Sequence, residues 1–201
     1  MSHEILANDL TTKPKTVGVL ALQGDFREHR LILENLGAEV REVRKPEHLL
    51  GLAGLVLPGG ESTTIARLAR SYGLDQAIVA ATEQGLALLA TCAGLIWASR
   101  SIVGYPEQPR LGILDLAIRR NAFGRQKESF EEDLEFSGIG KIRAAFIRAP
   151  RIAETGPGVE ILASYQGEPV AIRQGRHLGL TFHPEITGET GVHRLFLEGL
   201  D

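Results

Sequence analysis

The single cysteine of this 201-residue chain, Cys92, follows an apolar segment and precedes small residues. The segment LLATCAG (residues 88–94) is typical of a buried strand that turns sharply into a helix and exposes the turn residue at the edge of a sheet. The start of such a helix favours a thiolate over a thiol. A buried structural cysteine is the alternative, because this residue type is often found inside proteins. Cys92 is therefore a candidate nucleophile.

A histidine and a glutamate two residues apart, His183 and Glu185, stand at the end of the last predicted strand. Residues two apart in an extended segment point to the same side, so the two side chains can approach one another. A histidine that activates a thiol needs a carboxylate to fix its tautomer and stabilise its cation. A solvated surface pair is the alternative. The position at a strand end favours a catalytic pair, because the carboxyl ends of parallel strands form the usual site of an open α/β sheet.

The segment LPGGESTT (residues 57–64) also follows a predicted strand directly. Its paired glycines, Gly59 and Gly60, let backbone N–H groups come close to a ligand beside a helix N-terminus. A plain turn is one alternative, and a phosphate loop is another, although the Gly-Lys-Ser/Thr ending of a Walker A loop is missing. Beside a cysteine nucleophile, these N–H groups and that of Ala93 suit an oxyanion hole. Together the three segments indicate cysteine-dependent acyl transfer.

The elements that must position these residues alternate between strands and helices in the first half of the chain. Apolar runs predict buried strands at residues 17–22, 39–43, 54–57 and 86–90, with helices between them that end near Gly37, Gly73 and Gln84. Ser62, Thr63 and Thr64 can cap the second helix. Short strands are predicted in the second half, at residues 116–119, 131–136, 141–146, 159–165, 169–174 and 177–181, before a closing helix around residues 192–199.

This order predicts an α/β fold with a single-domain, doubly wound, mostly parallel sheet. The strands of the second half extend that sheet in antiparallel fashion, and helices cover both faces. Residues 1–15 are polar and lack periodicity, so we expect a mobile leader before one domain over residues 16–201.

Composition excludes several classes of protein. The chain has 22 Lys and Arg against 25 Asp and Glu, a formal net charge of −3 that argues against a generic binder of nucleic acid or anionic membrane. No apolar run approaches the roughly 20 residues that cross a bilayer. The first residues lack the build of a signal peptide. One cysteine cannot form an internal disulfide or a cysteine-rich zinc site, which favours a reducing cytoplasm.

Six motifs carry a family resemblance. LALQGDFREH, LPGGESTT, TCAGL, RRNAFGRQ, FIRAP and FHPE occur in this order between about residues 16 and 200. In that order they resemble the glutaminase subunits of pyridoxal 5′-phosphate synthase, a branch of the triad-type (class I) glutamine amidotransferases. The nucleophile turn and the His-x-Glu pair are typical of the whole superfamily, whereas LQG…EH, GGESTT, NAFGRQ and FIRAP indicate this branch.

The resemblance implies a role for each matching residue. Cys92 is the nucleophile, His183 the general base and acid, and Glu185 its orienting partner. The positions implied to contact glutamine are Gly60, Glu61, Ser62, Arg120, Ile147 and Arg148. An arginine suits the α-carboxylate of glutamine, but the residues alone do not distinguish Arg120 from Arg119, Arg125 or Arg148.

Two positions need separate comment. The family usually has glycine two residues before the nucleophile, where this chain has Ala90; we expect the turn to survive with slightly different packing. His29 belongs to the EH pair of the first motif but also falls on the apolar face of the first helix. A core or interface histidine is the interpretation we favour for His29.

The resemblance implies hydrolysis of L-glutamine to L-glutamate through a cysteine thioester, with the ammonia passed to the synthase subunit that makes pyridoxal 5′-phosphate. It further implies weak activity until that partner docks. The chain carries no cofactor or metal motif of its own, so pyridoxal phosphate is the product of the complex. Two alternatives stay open: a glutaminase of another pathway, such as histidine or purine biosynthesis, and a non-catalytic DJ-1-like binding or redox module.

Overall fold

The computed structural model describes residues 15–120 and 129–200. The predicted leader, apart from Lys15, and the NAFGRQ motif at residues 121–126 lie outside the described residues. The division into a leader and one domain therefore stays a prediction.

Strands and helices alternate through the first half of the chain, as predicted. The strands are Thr16–Leu20 (β1), Glu39–Val43 (β2), Gly54–Leu57 (β3) and Ala87–Thr91 (β4). The helices are Phe26–Asn35 (α1), Ser62–Ser71 (α2), Leu74–Glu83 (α3) and Ala93–Ala98 (α4), with a short 3-10 turn at Pro46–Leu49. Gly37 follows α1 with a φ of 87°, a left-handed conformation that glycine adopts without strain.

The second half consists of strands and one closing helix. The strands are Ser99–Ile102 (β5), Leu114–Arg119 (β6), Ser129–Phe136 (β7), Gly140–Ile147 (β8), Arg151–Thr155 (β9), Val159–Tyr165 (β10), Glu168–Gln174 (β11) and His177–Leu180 (β12). The helix is Gly191–Glu198 (α5). Strands β5 and β9 were not predicted, because their short segments lack a long apolar run.

The main sheet has seven strands in the order β10-β11-β12-β4-β3-β1-β2. The five from β12 to β2 are parallel, and β11 and β10 continue the sheet in antiparallel pairing. This agrees with the predicted fold class.

The prediction that the second-half strands all extend this sheet is wrong in part. Strands β5, β6 and β9 form a separate three-stranded sheet, and β7 pairs only with β8 among the described residues. Strand β12 lies inside the parallel portion, beside β4. Strand periodicity shows which face is buried but does not show which sheet a strand joins, and this explains the error.

Each face of the main sheet has its own core, because successive side chains of a strand point to opposite faces. On one face the helices α2, α3 and α4 bury Ile65, Ile78 and Leu95. On the other face α1 and α5 bury Leu33 and Phe196. Burying each such side chain contributes about 1.5–3 kcal/mol, so the two cores fix the helices against the sheet. Helices cover both faces, as predicted.

The first turn of α2 differs from the prediction. Glu61 is the residue that precedes the helix, no side chain caps the N-terminus, and Ser62 is already helical. The Ser62 hydroxyl instead accepts a hydrogen bond from Nε2 of Gln108 at 3.0 Å. The cap prediction is wrong because the helix begins at Ser62, so the predicted cap residues lie inside its first turn and not before it.

The parallel strands bring four connections to one edge of the sheet. The residues after β1, β3, β4 and β12 all leave the sheet at the carboxyl ends of these strands. The backbone N–H of Cys92, directly after β4, donates to the carbonyl of Leu180 in β12 at 2.9 Å. In the part of the chain that the structure describes, no helix is both long and apolar enough to cross a bilayer.

Candidate active site

Cys92 occupies a strained turn between β4 and α4. Its φ of 44° and ψ of −103° are unusual for a residue with a side chain. A Cβ atom at Gly94 would lie 2.1 Å from the carbonyl oxygen of Leu57, so only glycine fits there. Ala90 is fully buried in the core beneath α2 to α4, where its methyl group finds space. This is the sharp strand-to-helix turn that the sequence predicts.

His183 lines the same cavity as Cys92 and is anchored by Glu185. Nδ1 of His183 is 2.7 Å from Oε1 of Glu185, and the His183 backbone N–H donates to the carbonyl of Ala145 at 2.8 Å. Burial opposes protonation of this imidazole, but hydrogen bonds to Cys92 and Glu185 outweigh burial and raise the pKa of His183 to about 10. The structure thus brings together three residues that the sequence singled out.

Asp25 is a second carboxylate beside His183, and sequence reasoning missed it. Its Oδ2 is 3.4 Å from Nδ1 of His183, and its backbone N–H donates to the carbonyl of Gly59 at 3.3 Å. Burial raises the pKa of Asp25, although the nearby His183 opposes that effect. Its position in the LALQGDFREH motif, directly after β1, was the available signal.

Asp25, His183 and Glu185 offer atoms within 4.8 Å of one another that could ligate a metal ion. Nδ1 of His183 already makes a short hydrogen bond to the Glu185 carboxylate. A metal ion at that nitrogen would displace the proton that the hydrogen bond requires. We interpret the three residues as an acid–base group.

The two glycines of the loop after β3 have different surroundings. Gly60 and Ala93 line the cavity beside Cys92, whereas Gly59 packs under the His183 imidazole. Nearby, Oε1 of Gln23 accepts a hydrogen bond from the Glu61 backbone N–H at 2.7 Å. Two of the three positions predicted for the oxyanion hole, Gly60 and Ala93, therefore line the cavity that holds the sulfur, and the role of all three as donors stays a prediction.

Replacing Gly59 by Ala is expected to lower kcat about 100-fold while leaving the fold intact. A Cβ atom at this position would lie 2.3 Å from Cε1 of His183, so the imidazole must move. A displacement of about 1 Å in a catalytic group costs on the order of 100-fold in rate. Steady-state glutaminase kinetics and thermal melting test this. Gly199→Ala is the matched control, because its Cβ would meet only atoms at 3.5 Å; equal activity of both variants would contradict the prediction.

Arg120 is held in one orientation by three side chains. Its Nη1 donates to Oε1 of Gln108 at 2.6 Å, its Nη2 lies 3.2 Å from Oε1 of Glu61, and its guanidinium lies 5.0 Å from the ring centre of Tyr105. Gln108 also binds Ser62, so it links two of the predicted glutamine-binding positions. Tyr105 and Gln108 lie in an irregular segment, and no sequence signal marked them.

Ile147 and Arg148 line the opposite wall of the cavity. The carbonyl of Ile147 is 3.9 Å from Sγ of Cys92. Arg148 has a φ of 44°, which places a second strained residue beside the sulfur. The structure therefore places both FIRAP positions on the wall of the cavity that holds Cys92.

The residues described above surround a cavity of about 320 Å³. Small-molecule sites fall roughly in the range of 300–1,000 Å³. A larger depression of about 550 Å³ at the other end of the sheet is lined mainly by leucine and alanine. Its polar side chains, Gln84 and Arg176, supply neither a nucleophile nor a base. The smaller cavity is therefore the candidate active site.

Comparison with known proteins decides the family. The sequence profile of the SNO glutamine amidotransferase family matches residues 19–201. The chain belongs to this family. Its nucleophile turn, His-x-Glu pair and glycine loop all fall inside the matched residues, and the prediction of the family is confirmed.

Related sequences and structures agree with this assignment. The chain is 60% identical to pyridoxal 5′-phosphate synthase subunit PdxT from a strain of Thermus thermophilus, over 90% of this chain and 96% of that protein. Identity to the PdxT subunit of Pelotomaculum thermopropionicum is 53%, over 90% of this chain and 93% of that protein. A crystal structure of a glutamine amidotransferase at 58% identity superposes with a TM-score of 0.89, covering 92% of this chain and 98% of that one.

A more distant structure shares the fold. PurLQS of Thermotoga maritima has a TM-score of 0.68 at 20% identity, covering 94% of this chain and 100% of that one. At that identity the likeness concerns architecture alone.

Proposed function

We propose that this chain hydrolyses L-glutamine to L-glutamate and ammonia as the glutaminase subunit of a pyridoxal 5′-phosphate synthase. The observation that carries the proposal is the placement of Cys92 and His183, whose Nδ1 is bound to Glu185, on the wall of one ligand-sized cavity. The PdxT subunits at 50–60% identity support the same activity and the same complex. These relatives argue against a glutaminase of another pathway and against a non-catalytic module.

Acylation begins with the thiol proton already on His183, because the pKa of about 10 keeps its imidazole protonated at neutral pH and leaves the Cys92 sulfur to act as the nucleophile. Nδ1 of His183 is bound to Glu185, so Nε2 carries that proton. The sulfur then bonds to the side-chain carbonyl carbon of glutamine, and the carbonyl electron pair moves onto its oxygen. Backbone N–H groups of Ala93 and the Gly59-Gly60 segment stabilise that oxyanion. When the oxyanion collapses, the C–N bond breaks, His183 protonates the leaving nitrogen, and ammonia departs from a γ-glutamyl thioester.

Deacylation reverses the roles. His183, now neutral, removes a proton from water, and the resulting hydroxide attacks the thioester carbon. The C–S bond breaks, its electron pair returns to the sulfur beside the protonated His183, and glutamate leaves. One glutamine and one water thus give one glutamate and one ammonia. The nucleophile, the base and the anion-stabilising groups all come from this chain, so the proposed reaction needs no cofactor.

The acceptor of the ammonia is the synthase subunit. Free ammonia in water becomes ammonium, which is not a nucleophile, so a shielded route to an acceptor makes chemical sense. The reaction belongs in the cytoplasm, where reducing conditions keep the only thiol free.

Arg120 binds the α-carboxylate of glutamine in this proposal, and Glu61 binds the α-amino group. Replacing Arg120 by Lys is expected to raise KM for glutamine roughly 10- to 100-fold with little change in kcat. The reason is that a planar guanidinium binds a carboxylate through two parallel hydrogen bonds, which an ammonium group cannot reproduce. Arg119→Lys is the matched control, because Arg119 is an exposed neighbour in β6. If the variant had the wild-type KM, Arg120 would not be the residue that binds the α-carboxylate of glutamine.

Glutaminase assays with and without the synthase subunit test the function. We expect slow release of glutamate and ammonia in equal amounts by the isolated chain, and a marked increase when the synthase subunit is added. No hydrolysis in the presence of that subunit would refute the proposal. Stimulation by the acceptor of another pathway, and not by the synthase, would assign the chain to that pathway.

A further inference from the structure

Two fully buried histidines lie behind the catalytic pair, on the face of the sheet covered by α1 and α5. His29 comes from α1 and His193 from α5, and both have no exposed surface. Buried polar groups cost free energy unless they form hydrogen bonds, so apolar side chains would satisfy a core position more cheaply. The mechanism above gives neither histidine a role.

The contacts of His29 lead directly to Glu185. Nε2 of His29 is 3.4 Å from Oε2 of Glu185 and 3.3 Å from Oγ1 of Thr91. The other carboxylate oxygen of Glu185 binds Nδ1 of His183 at 2.7 Å. The carboxylate therefore lies between two imidazoles, one facing the cavity and one facing the core.

His193 determines which nitrogen of His29 carries the proton that Glu185 needs. Nδ1 of His29 is 2.8 Å from Nε2 of His193, so one proton lies between these two nitrogens. The carboxylate of Glu185 only accepts, so Nε2 of His29 must carry a proton to bind it. A neutral His29 carries that proton when His193 donates to Nδ1 of His29, and this is the arrangement that the inference requires.

We propose that His29, held by His193, is a positioning residue that donates to the second oxygen of Glu185 and so keeps the His183 imidazole oriented toward Cys92. This inference rests on the proposed function. Burial would raise the pKa of Glu185, but His29 and His183 outweigh burial and hold that pKa well below its usual range. Glu185 then stays ionised although it is 5% exposed.

The interpretation of His29 as a core histidine is therefore only half of its role. It is buried, as the apolar face of α1 predicts, but its partner is the acid of the catalytic pair. The signal in the sequence was the EH pair of the first motif. Because His29 also falls on the apolar face of the predicted helix, helical periodicity explains it as a core residue and hides this signal.

The test measures kcat against pH for the full chain with the synthase subunit. We expect His29→Leu to lower kcat roughly 10- to 100-fold at neutral pH, the range found when groups that orient a functional ligand from behind are removed. Without its donor, Glu185 is protonated at a higher pH, so the ratio of variant to wild-type kcat should fall further as pH falls from 8 to 6. His29→Gln keeps an N–H donor near the same position and should recover most of the rate.

The groups facing His29 that titrate or carry charge are Glu185, His193 and, across the β1–α1 connection, Asp25. A purely structural role would reduce the active fraction equally at every pH, and Gln would then not restore the rate. His177→Leu is the control, because His177 is a partly buried histidine at the opposite end of β4, where its Nδ1 accepts the Leu88 N–H at 3.1 Å. That variant should keep the wild-type pH profile.

A second measurement separates this inference from the proposed function. The rate of Cys92 alkylation by iodoacetamide reports on the His183 base without glutamine, and we expect it to fall about tenfold in His29→Leu near pH 7. His193→Gln should lower the alkylation rate less than His29→Leu does. It provides a second test if His29→Leu does not fold. Wild-type alkylation rates and pH profiles in all these variants would overturn the positioning role even if the chain is a glutaminase. An altered alkylation rate without any glutaminase activity would refute only the function.

Discussion

Replacing Cys92 by Ala is expected to abolish glutamine hydrolysis, with a loss on the order of 10⁴-fold or more, as for other enzymes that lose their nucleophile. The thioester requires the sulfur, and Cys92 is the only cysteine in the chain. Folding should be little affected, because alanine is smaller than cysteine and the contact of Sγ with the Ile147 carbonyl that is lost is long, at 3.9 Å. Ammonia release measured with the synthase subunit present gives the result.

Measuring glutamine binding by Cys92→Ala shows whether activity is lost because the reaction is blocked or because the variant is misfolded. Cys92→Ala keeps Glu61, Arg120 and the rest of the cavity wall, so it should still bind glutamine with an affinity near that of the wild type when measured by calorimetry in the complex. Hydrolysis within tenfold of the wild-type rate would exclude Cys92 as the nucleophile.

Replacing His183 by Asn is expected to lower kcat roughly 10²- to 10⁴-fold, the usual contribution of a general acid–base group. In the proposed mechanism the imidazole both holds the thiol proton and protonates the leaving ammonia, and an amide does neither. KM should change less than kcat, because His183 contacts the reacting atoms and not the α-carboxylate site around Arg120. Pre-steady-state kinetics of glutamate release are the measurement.

His48→Asn serves as the control for His183→Asn. His48 lies in the 3-10 turn, where its Nδ1 is 3.1 Å from the backbone carbonyl of Glu42, on a different element from the cavity. That variant should keep the wild-type kcat. Equal activities of the two variants would show that the imidazole of His183 takes no part in the reaction.

The sequence predicts the positions of the site residues because the site lies at strand ends. The apolar runs before Pro58 and Cys92 could only be buried strands, and in a parallel sheet their carboxyl ends meet at one edge. The two strands are hydrogen-bonded neighbours, with Leu57 paired to Ala90. The proximity of Cys92 to the loop at Gly59 and Gly60 follows from that pairing and needs no further information.

The partners that sequence reasoning missed all depend on contacts between distant parts of the chain. His29 and His193 meet 164 residues apart, across helices α1 and α5. Gln108 reaches Ser62 and Arg120 from an irregular segment whose course no periodicity predicts. Such contacts form only when whole helices and strands pack against each other. The periodicity of a short sequence segment does not show how that packing occurs.

The sequence also does not show which sheet a predicted strand joins. The strand predicted at residues 116–119 is found within Leu114–Arg119 (β6), but it pairs with β5 and β9 in a small separate sheet. The fold class is nevertheless confirmed, because the parallel strands and the helices between them determine the main sheet.

Covalent labelling by a glutamine analogue with an electrophilic side chain tests the central claim most directly, since the claim is that the Cys92 sulfur and the His183 imidazole act together on a bound glutamine. Mass spectrometry of the complex with the synthase subunit should find one adduct per chain, on the peptide that contains Cys92. Excess glutamine should slow the labelling, and His183→Asn should slow it much further. An adduct elsewhere, or none at Cys92 in the presence of the partner, would contradict the account.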